Sequence, residues 1–393
     1  LEAFYCAIQE GADAVYAGAP GFNARLRAKN FTLDELSRML AYAHERGRKL
    51  YVALNTLVFE KELPELVRTL DALRRAAPDA LIVQDMGVFR LARELAPEIP
   101  LHASTQLTVH NLDGALTAER LGFERVILAR ELTMEEIRYI RGGCRVGLEC
   151  FIHGAMCYSI SGQCYMSGAV HEDASANRGR CMQPCRRLYR SAEGLTPLFS
   201  PSDLSAAPIF SQILTLGLES FKIEGRLKAP EAIGRIVRAY RLLIDAWPIF
   251  TAELIAEARG CLDLAIGRKS STGFFQTTKP YSRTTEKETQ AGRLIGEVLT
   301  TGGDRFQIQP TMPVKAGDRL RVQMSRNEAP QGFTVREIHL TDRVVKRCGA
   351  GRKIWLEAPF TPPIGAEVVK VADADALIKG SRGFEEKEWP RCV

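Results

Sequence analysis

Four cysteines fall within one short stretch of this chain: Cys157, Cys164, Cys181 and Cys185, spaced C-x6-C-x16-C-x3-C. The segment around them, GAMCYSISGQCYMSGAVHEDASANRGRCMQPCRR, is rich in Gly and Ser and shows neither helical nor strand periodicity. Thiols gathered in an irregular loop can serve as disulfides, as metal ligands, or as unrelated small buried side chains. Disulfides call for an oxidising compartment, and no secretion signal opens this chain. Chance accounts well for scattered cysteines such as Cys6, Cys144, Cys150, Cys261 and Cys348, since cysteine is a common small hydrophobe in cores. A long loop that needs an ordering influence favours a metal centre, because a tetrathiolate site contributes several kcal/mol to folding.

The spacing leaves the metal open. Structural zinc uses short paired knuckles, and here only Cys181 and Cys185 are close in sequence. Long, unequal intervals suit an iron-sulfur cluster at least as well, since its ligands come from separate turns around a larger inorganic core. His153 and His171 lie nearby and could replace one thiolate. Arg178, Arg180, Arg186, Arg187 and Arg190 surround the last two cysteines. A polyanionic partner and a merely solvated basic loop both explain that clustering.

The elements that position the loop are legible on either side of it. Short apolar runs at 14–18, 50–55, 80–85, 100–105, 125–130, 145–151 and 220–226 alternate with stretches of helical periodicity. That alternation predicts a parallel sheet covered by helices. Thr32 and Glu35 predict a capping box, with Gly47 beyond the helix they open, and LTMEEIRYIRGG repeats the pattern. The strand-to-helix turns carry Asn55, Asp85, Thr105, Gln106, Arg130 and Glu131, which share one face of such a fold, the face where sites are built. Seven strands are one short of a closed barrel. The expectation is a TIM-like (β/α) barrel whose first strand precedes Leu1, with a doubly wound open sheet as the alternative.

After the amphipathic helix at 229–247 the character changes. A polar connector is expected at 267–290, and from 291 to 393 short alternating strands predict a small antiparallel β-barrel module. The first domain would then span 1–266 and carry the cysteine-rich loop at 154–190. The 393 residues are 46% apolar, with net charge +6 and pI near 8.8. No apolar run approaches the ~20 residues of a membrane span, and no signal peptide is recognisable, so the cytoplasm is the expected location.

ECFIHGAMCYSISGQCYMS, together with EGADAVYAG, STQLTVHN, VILARELTMEEI, NRGRCMQPCRRLY and FKIEGRLK, resembles the collagenase-like peptidases of unknown catalytic type, group thirty-two. The likeness runs over about residues 1 to 247. It implies a TIM-like barrel and either peptidase activity, as the family's label says, or prephenate-dependent, oxygen-independent hydroxylation. In the hydroxylating branches the substrate is tRNA uridine, rRNA cytidine or a quinone precursor, and a 4Fe-4S cluster is carried. Cys157, Cys164, Cys181 and Cys185 match the ligand pattern of the RNA-modifying branch, with zinc as the alternative metal.

If prephenate is the donor, its carboxylates need cations, for which Arg25, His153, Lys222 and Arg226 are the candidates. Glu149 and Glu224 could orient them or move protons, or could form structural ion pairs inside the barrel. Arg178, Arg180, Arg186 and Arg187 would face phosphates, while Tyr158, Tyr165 or Tyr189 would stack on a base. Against hydrolysis stands the absence of H-E-x-x-H and G-x-S-x-G. A non-catalytic scaffold ordered by the metal is the third reading. The sequence leaves the oligomeric state open.

Overall fold

The computed structural model describes residues 1–26, 30–192, 194–225, 228–265, 268–277, 292–322, 324 and 330–372. They form two compact units, one built on Leu1–Arg259 and the stretch from Lys269, the other on residues from Gly260 to Arg268 and the β-rich C-terminal part.

The first unit is a parallel sheet wrapped by helices. Its strands β1 (Ala14–Gly18), β2 (Lys49–Leu54), β3 (Ala80–Val83), β4 (Leu101–Ala103), β5 (Arg125–Ile127) and β6 (Gly147–Gly154) pair in sequence order, all parallel. All four residues of β3 and the last five of β2 are buried, as expected of strands covered on both faces. Helix α1 (Glu2–Gln9) precedes β1, and helices α2 (Leu33–His44), α3 (Leu63–Ala76), α4 (Met86–Leu95), α5 (Leu112–Leu121) and α6 (Met134–Gly143) make the crossovers. The capping box of α2 is present: Glu35 N–H donates to Thr32 at 3.1 Å, and Thr32 N–H donates to the Glu35 carboxylate at 2.8 Å. Thr133 and Glu136 repeat it at α6.

After β6 comes the cysteine-bearing stretch, with one short helix, α7 (Met166–Val170), and a hairpin of β7 (Tyr189–Ser191) and β8 (Gly194–Thr196). Strand β9 (Asp203–Ser205) then runs antiparallel to the end of β6, and α8 (Phe210–Leu214) leads into β10 (Ser220–Ile223), which pairs parallel to β6. Helix α9 (Pro230–Asp245) packs Ile233 and Val237 against Ala7 of α1. Tyr16 of β1 donates its hydroxyl to Glu224, just past β10, at 3.3 Å. The two ends of the parallel run are thereby tied together. Helix α10 (Ala252–Leu264) follows. Most of the expected connector lies outside the described residues, and its described part includes β11 (Ser270–Ser271), which pairs with β9.

The second unit is a curled antiparallel sheet. Strands β12 (Arg293–Gly302), β13 (Arg305–Ile308), β15 (Arg319–Val322), β16 (Gln331–Thr334), β17 (Ile338–His339), β18 (Val344–Val345), β20 (Ile354–Glu357) and β21 (Glu367–Ala372) supply it, while β14 (Val314–Lys315) and β19 (Arg347–Cys348) pair as a separate two-stranded sheet. The main sheet runs β16-β15-β21-β12-β13-β20-β17-β18. Its alternate residues Phe306, Ile308, Leu320, Val322, Ile354 and Leu356 are fully buried in one core. Inside that core Lys370 meets Asp318 at 2.6 Å, with side-chain exposures of 1% and 0%. Asp318 also accepts the Lys315 N–H, and Lys370 donates to the Pro313 carbonyl.

A buried pair of this kind is costly to break from one side. Asp318→Asn is expected to lose about 3–5 kcal/mol of unfolding free energy, whereas the double change Asp318→Leu, Lys370→Met returns close to the parent. Urea unfolding of the three proteins checks this. Equal losses in the single and double variants would contradict it.

Candidate active site

Period-two alternation along the parallel strands turns one set of side chains to the inside of the curved sheet. At the lower level these are charged. Glu149 of β6 holds the Lys222 ammonium of β10 at 2.8 Å and stands 3.5 Å from the Arg125 guanidinium of β5. Burial works to raise the Glu149 carboxyl, but Lys222, with help from Arg125 and Ser220, holds it below its usual range. The Lys222 ammonium also lies 4.1 Å from the centre of the Tyr16 ring. His102 of β4, 2% exposed, packs edge-on against Tyr51. Burial, reinforced by the Arg125 charge, depresses its ring to about 3, so it is neutral at physiological pH.

Above this layer a pocket opens at the C-terminal ends of the strands. Tyr16, Arg25, Asn55, Arg130, Phe151 and Glu224 are among its walls, so nearly every strand-to-helix turn contributes. Arg25 stands 3.8 Å from Glu224, and that carboxylate is the chief reason its guanidinium is held more firmly charged than usual. Arg130 stacks its guanidinium 4.5 Å from the Phe151 ring and donates to the Ala155 carbonyl at 2.8 Å.

The cysteine-bearing loop sits on the rim of this pocket. Gly162, at φ +79°, lies so close to the Gln106 carbonyl that a Cβ there would collide with it. Gly179, at φ +72°, makes the same approach to the Asn23 carbonyl. Only glycine combines that backbone conformation with such contact. Arg186 reaches down from the loop to the carbonyls of Met156 and Pro201 and to the Ser200 hydroxyl. Arg178 forms a two-pronged bond with the Glu62 carboxylate and rests 4.5 Å from the Phe59 ring. Glu131 accepts both the N–H and the hydroxyl of Ser161, at 2.9 and 3.0 Å.

None of the described cysteines is in a disulfide, and the four of the loop are all partly exposed. The loop brings them within electrostatic reach of one another: Cys157 is hydrogen-bonded to Cys164, and the charge of Cys157 or Cys181 acts on Cys164 and Cys185. Each sulfur meets a backbone N–H, from Ser159 for Cys157, Met166 for Cys164, Gln183 for Cys181 and Tyr158 for Cys185. The Cys164 bond comes first among the causes that bring the Cys157 thiol down to about 6, followed by Arg130 and Arg25 against opposing burial. The same bond pushes Cys164 up, and burial raises Cys185. Among the described residues no three His, Cys, Asp or Glu side chains are grouped closely enough for one metal ion.

The residues expected to carry chemistry divide accordingly. Arg25, Lys222 and Glu224 line the pocket, and Glu149 lies beneath it in the buried pair. His153 is not among the lining residues. Its ring meets Tyr240 at 3.3 Å, and burial depresses it to about 3, so it does not supply the expected positive charge. Arg178 and Arg186 are bonded within the protein and are not turned to phosphates, whereas Arg180 and Arg187 are exposed. Arg226 lies outside the described residues. Tyr189 donates to the Pro184 carbonyl, while Tyr158 and Tyr165 are 49% and 67% exposed. Tyr16, His102 and Arg125 were not singled out in the sequence. Their strand positions are the available signal, since each faces the same way as a neighbour across the sheet.

A pocket at the C-terminal ends of a parallel, helix-covered sheet, bordered by a cysteine-bearing loop, defines the class. The family model described as Peptidase family U32 matches residues 1–285, and the chain belongs to that family. The 23S rRNA 5-hydroxycytidine C2501 synthase of Escherichia coli is 36% identical over 85% of this chain and 52% of its own, so this chain spans about half that relative's length. The tRNA hydroxylation protein P1 of Bacillus subtilis is 33% identical, over 72% of this chain and 70% of its own. A protein of Porphyromonas gingivalis named Collagenase is also 33% identical, over 70% of each. The solved U32 peptidase Mk0906 covers 37% of this chain and 63% of its own at 20% identity, with TM-score 0.33.

The neutrality of His102 has a pH consequence. Its contribution is fully present above its ordinary value of 6.5 and is lost as pH falls toward about 3, because the unfolded chain binds the proton first. His102→Gln is expected to flatten the decline of unfolding free energy over that window relative to the parent. Denaturant titrations at stepped pH check it, and parallel declines would contradict it.

Proposed function

We propose that this chain is an RNA base hydroxylase that works with a 4Fe-4S cluster held by Cys157, Cys164, Cys181 and Cys185, and with prephenate as the oxygen donor. The single observation that carries this reading is that the loop bearing four free thiols, Cys157 hydrogen-bonded to Cys164 among them, borders a cation-lined pocket. The names of the Escherichia coli and Bacillus subtilis relatives support RNA as the substrate. The tie from β1 to Glu224 and the packing of α1 on α9 support a TIM-like barrel as the architecture around the pocket.

The donor set, four free thiols in one loop, fits such a cluster, whose ligands come from separate turns around a larger inorganic core. Zinc on the same thiolates is the alternative metal. A backbone N–H on every sulfur favours the thiolate forms and tunes such a centre. When bound, the cluster supplies one-electron chemistry beside the pocket.

The chain's own residues do the rest. Arg25 and Lys222 give the pocket a positive wall, balanced in part by Glu224 and Glu149. Tyr16 fixes the Glu224 carboxylate, which is placed to accept or return a proton at the mouth. Exposed Arg180 and Arg187 would meet RNA phosphates, and exposed Tyr158 and Tyr165 offer rings to an unstacked base. Hydrolysis by Cys157 is less well supported: Cys164 and two arginines lower its thiol, and no histidine contributes.

Nucleoside mass spectrometry of tRNA and rRNA from a strain lacking the gene tests the function. A nucleoside heavier by one oxygen is expected to disappear, to return with the parent gene, and to stay absent with Cys164→Ser. An unchanged profile would remove RNA hydroxylation.

A further inference from the structure

Three cations among the described residues line the pocket, and two of them have a carboxylate partner. Lys222 is bound to Glu149 at 2.8 Å, and Arg25 faces Glu224 at 3.8 Å. Arg130 differs. Among the described residues no carboxylate lies within ion-pair distance of it, and its buried Nε has no hydrogen-bond partner. The Phe151 ring fixes the plane of the guanidinium, and one terminal nitrogen is tied to the Ala155 carbonyl. A held, planar fork with unused donors matches the geometry of a carboxylate. Its neighbour Glu131 is engaged with Ser161 and does not neutralise it.

We propose that Arg130 is an anion-docking residue of the pocket, receiving a carboxylate of a small organic acid. This rests on reading the pocket as the substrate chamber, and it gives a role to a residue that the sequence placed only on the turn-bearing face. The position also joins two parts of the site. The Arg130 N–H donates to the Ser161 hydroxyl at 3.3 Å, and its side chain holds Ala155, two residues before Cys157. A ligand on Arg130 is therefore docked against the turn that seats the first cysteine.

Isothermal titration of the anaerobically purified full chain with prephenate, and separately with inorganic phosphate, tests the assignment. Arg130→Gln is expected to weaken prephenate binding about 10- to 100-fold, and Arg130→Lys to recover only part of that, since lysine keeps the charge without the fork. Ser161→Ala, which cuts a tether between turn and loop but leaves the guanidinium, is expected to stay within about two-fold of the parent. Inorganic phosphate, which the same fork can accept, is expected to bind the parent more weakly than prephenate and to lose less affinity than prephenate in Arg130→Gln.

Four results would overturn the proposal: no prephenate binding by the parent, unchanged binding by Arg130→Gln, equal weakening by Arg130→Gln and Ser161→Ala, or a larger effect on phosphate than on prephenate. A parent that binds prephenate while RNA from the deletion strain is unchanged keeps the Arg130 assignment and removes the RNA reading.

Discussion

Backbone-to-backbone contact between the cysteine-bearing loop and the rim of the sheet is the constraint on which the site depends. Gly162 against Gln106 and Gly179 against Asn23 let the loop lie on carbonyl oxygens without a Cβ between them. Arg186 and Arg178 then reach inward from the loop and fasten it, the first to carbonyls of Met156 and Pro201, the second to Glu62. Four thiols spread from Cys157 to Cys185 are held in one loop because both halves of it are anchored this way. The arginines that composition alone would assign to a polyanion therefore serve two purposes: two hold the loop, and others on it stay exposed.

Charge inside the sheet is organised in two tiers. The lower tier is balanced and buried: Glu149 between Lys222 and Arg125, with a neutral His102 beside them. Breaking such a pair from one side is expensive, which keeps the ammonium of Lys222 in place at the floor of the pocket. The upper tier is less balanced, with Arg25 answered by Glu224 and Arg130 answered by no described carboxylate. A pocket built this way favours an anionic ligand at its mouth while its floor is already neutralised.

Much of this was legible beforehand for physical reasons. The alternation of buried apolar runs with amphipathic stretches dictates a covered parallel sheet, and the Thr32 and Thr133 capping boxes were readable because caps are local. Arg25, Lys222 and Glu224 line the pocket, the face of a parallel sheet to which their sequence positions pointed. His153 misled because a histidine beside a cysteine motif suggests chemistry, while its burial against Tyr240 depends on a helix some 87 residues away in sequence. Arg178 and Arg186 misled for the same reason: Glu62 and Pro201 are partners that only the folded chain supplies. His102 and Arg125 carry no motif at all, and only the register of β4, β5 and β6 brings them beside Glu149.

The proposed chemistry stands on what the four sulfurs hold. Determination of iron, acid-labile sulfide and zinc in anaerobically purified protein, beside a Cys157→Ser variant, addresses that directly. Iron and sulfide in equal amounts in the parent, both lost in the variant, is the predicted result. A single zinc per chain without sulfide, or a metal-free parent that still hydroxylates RNA, would contradict it.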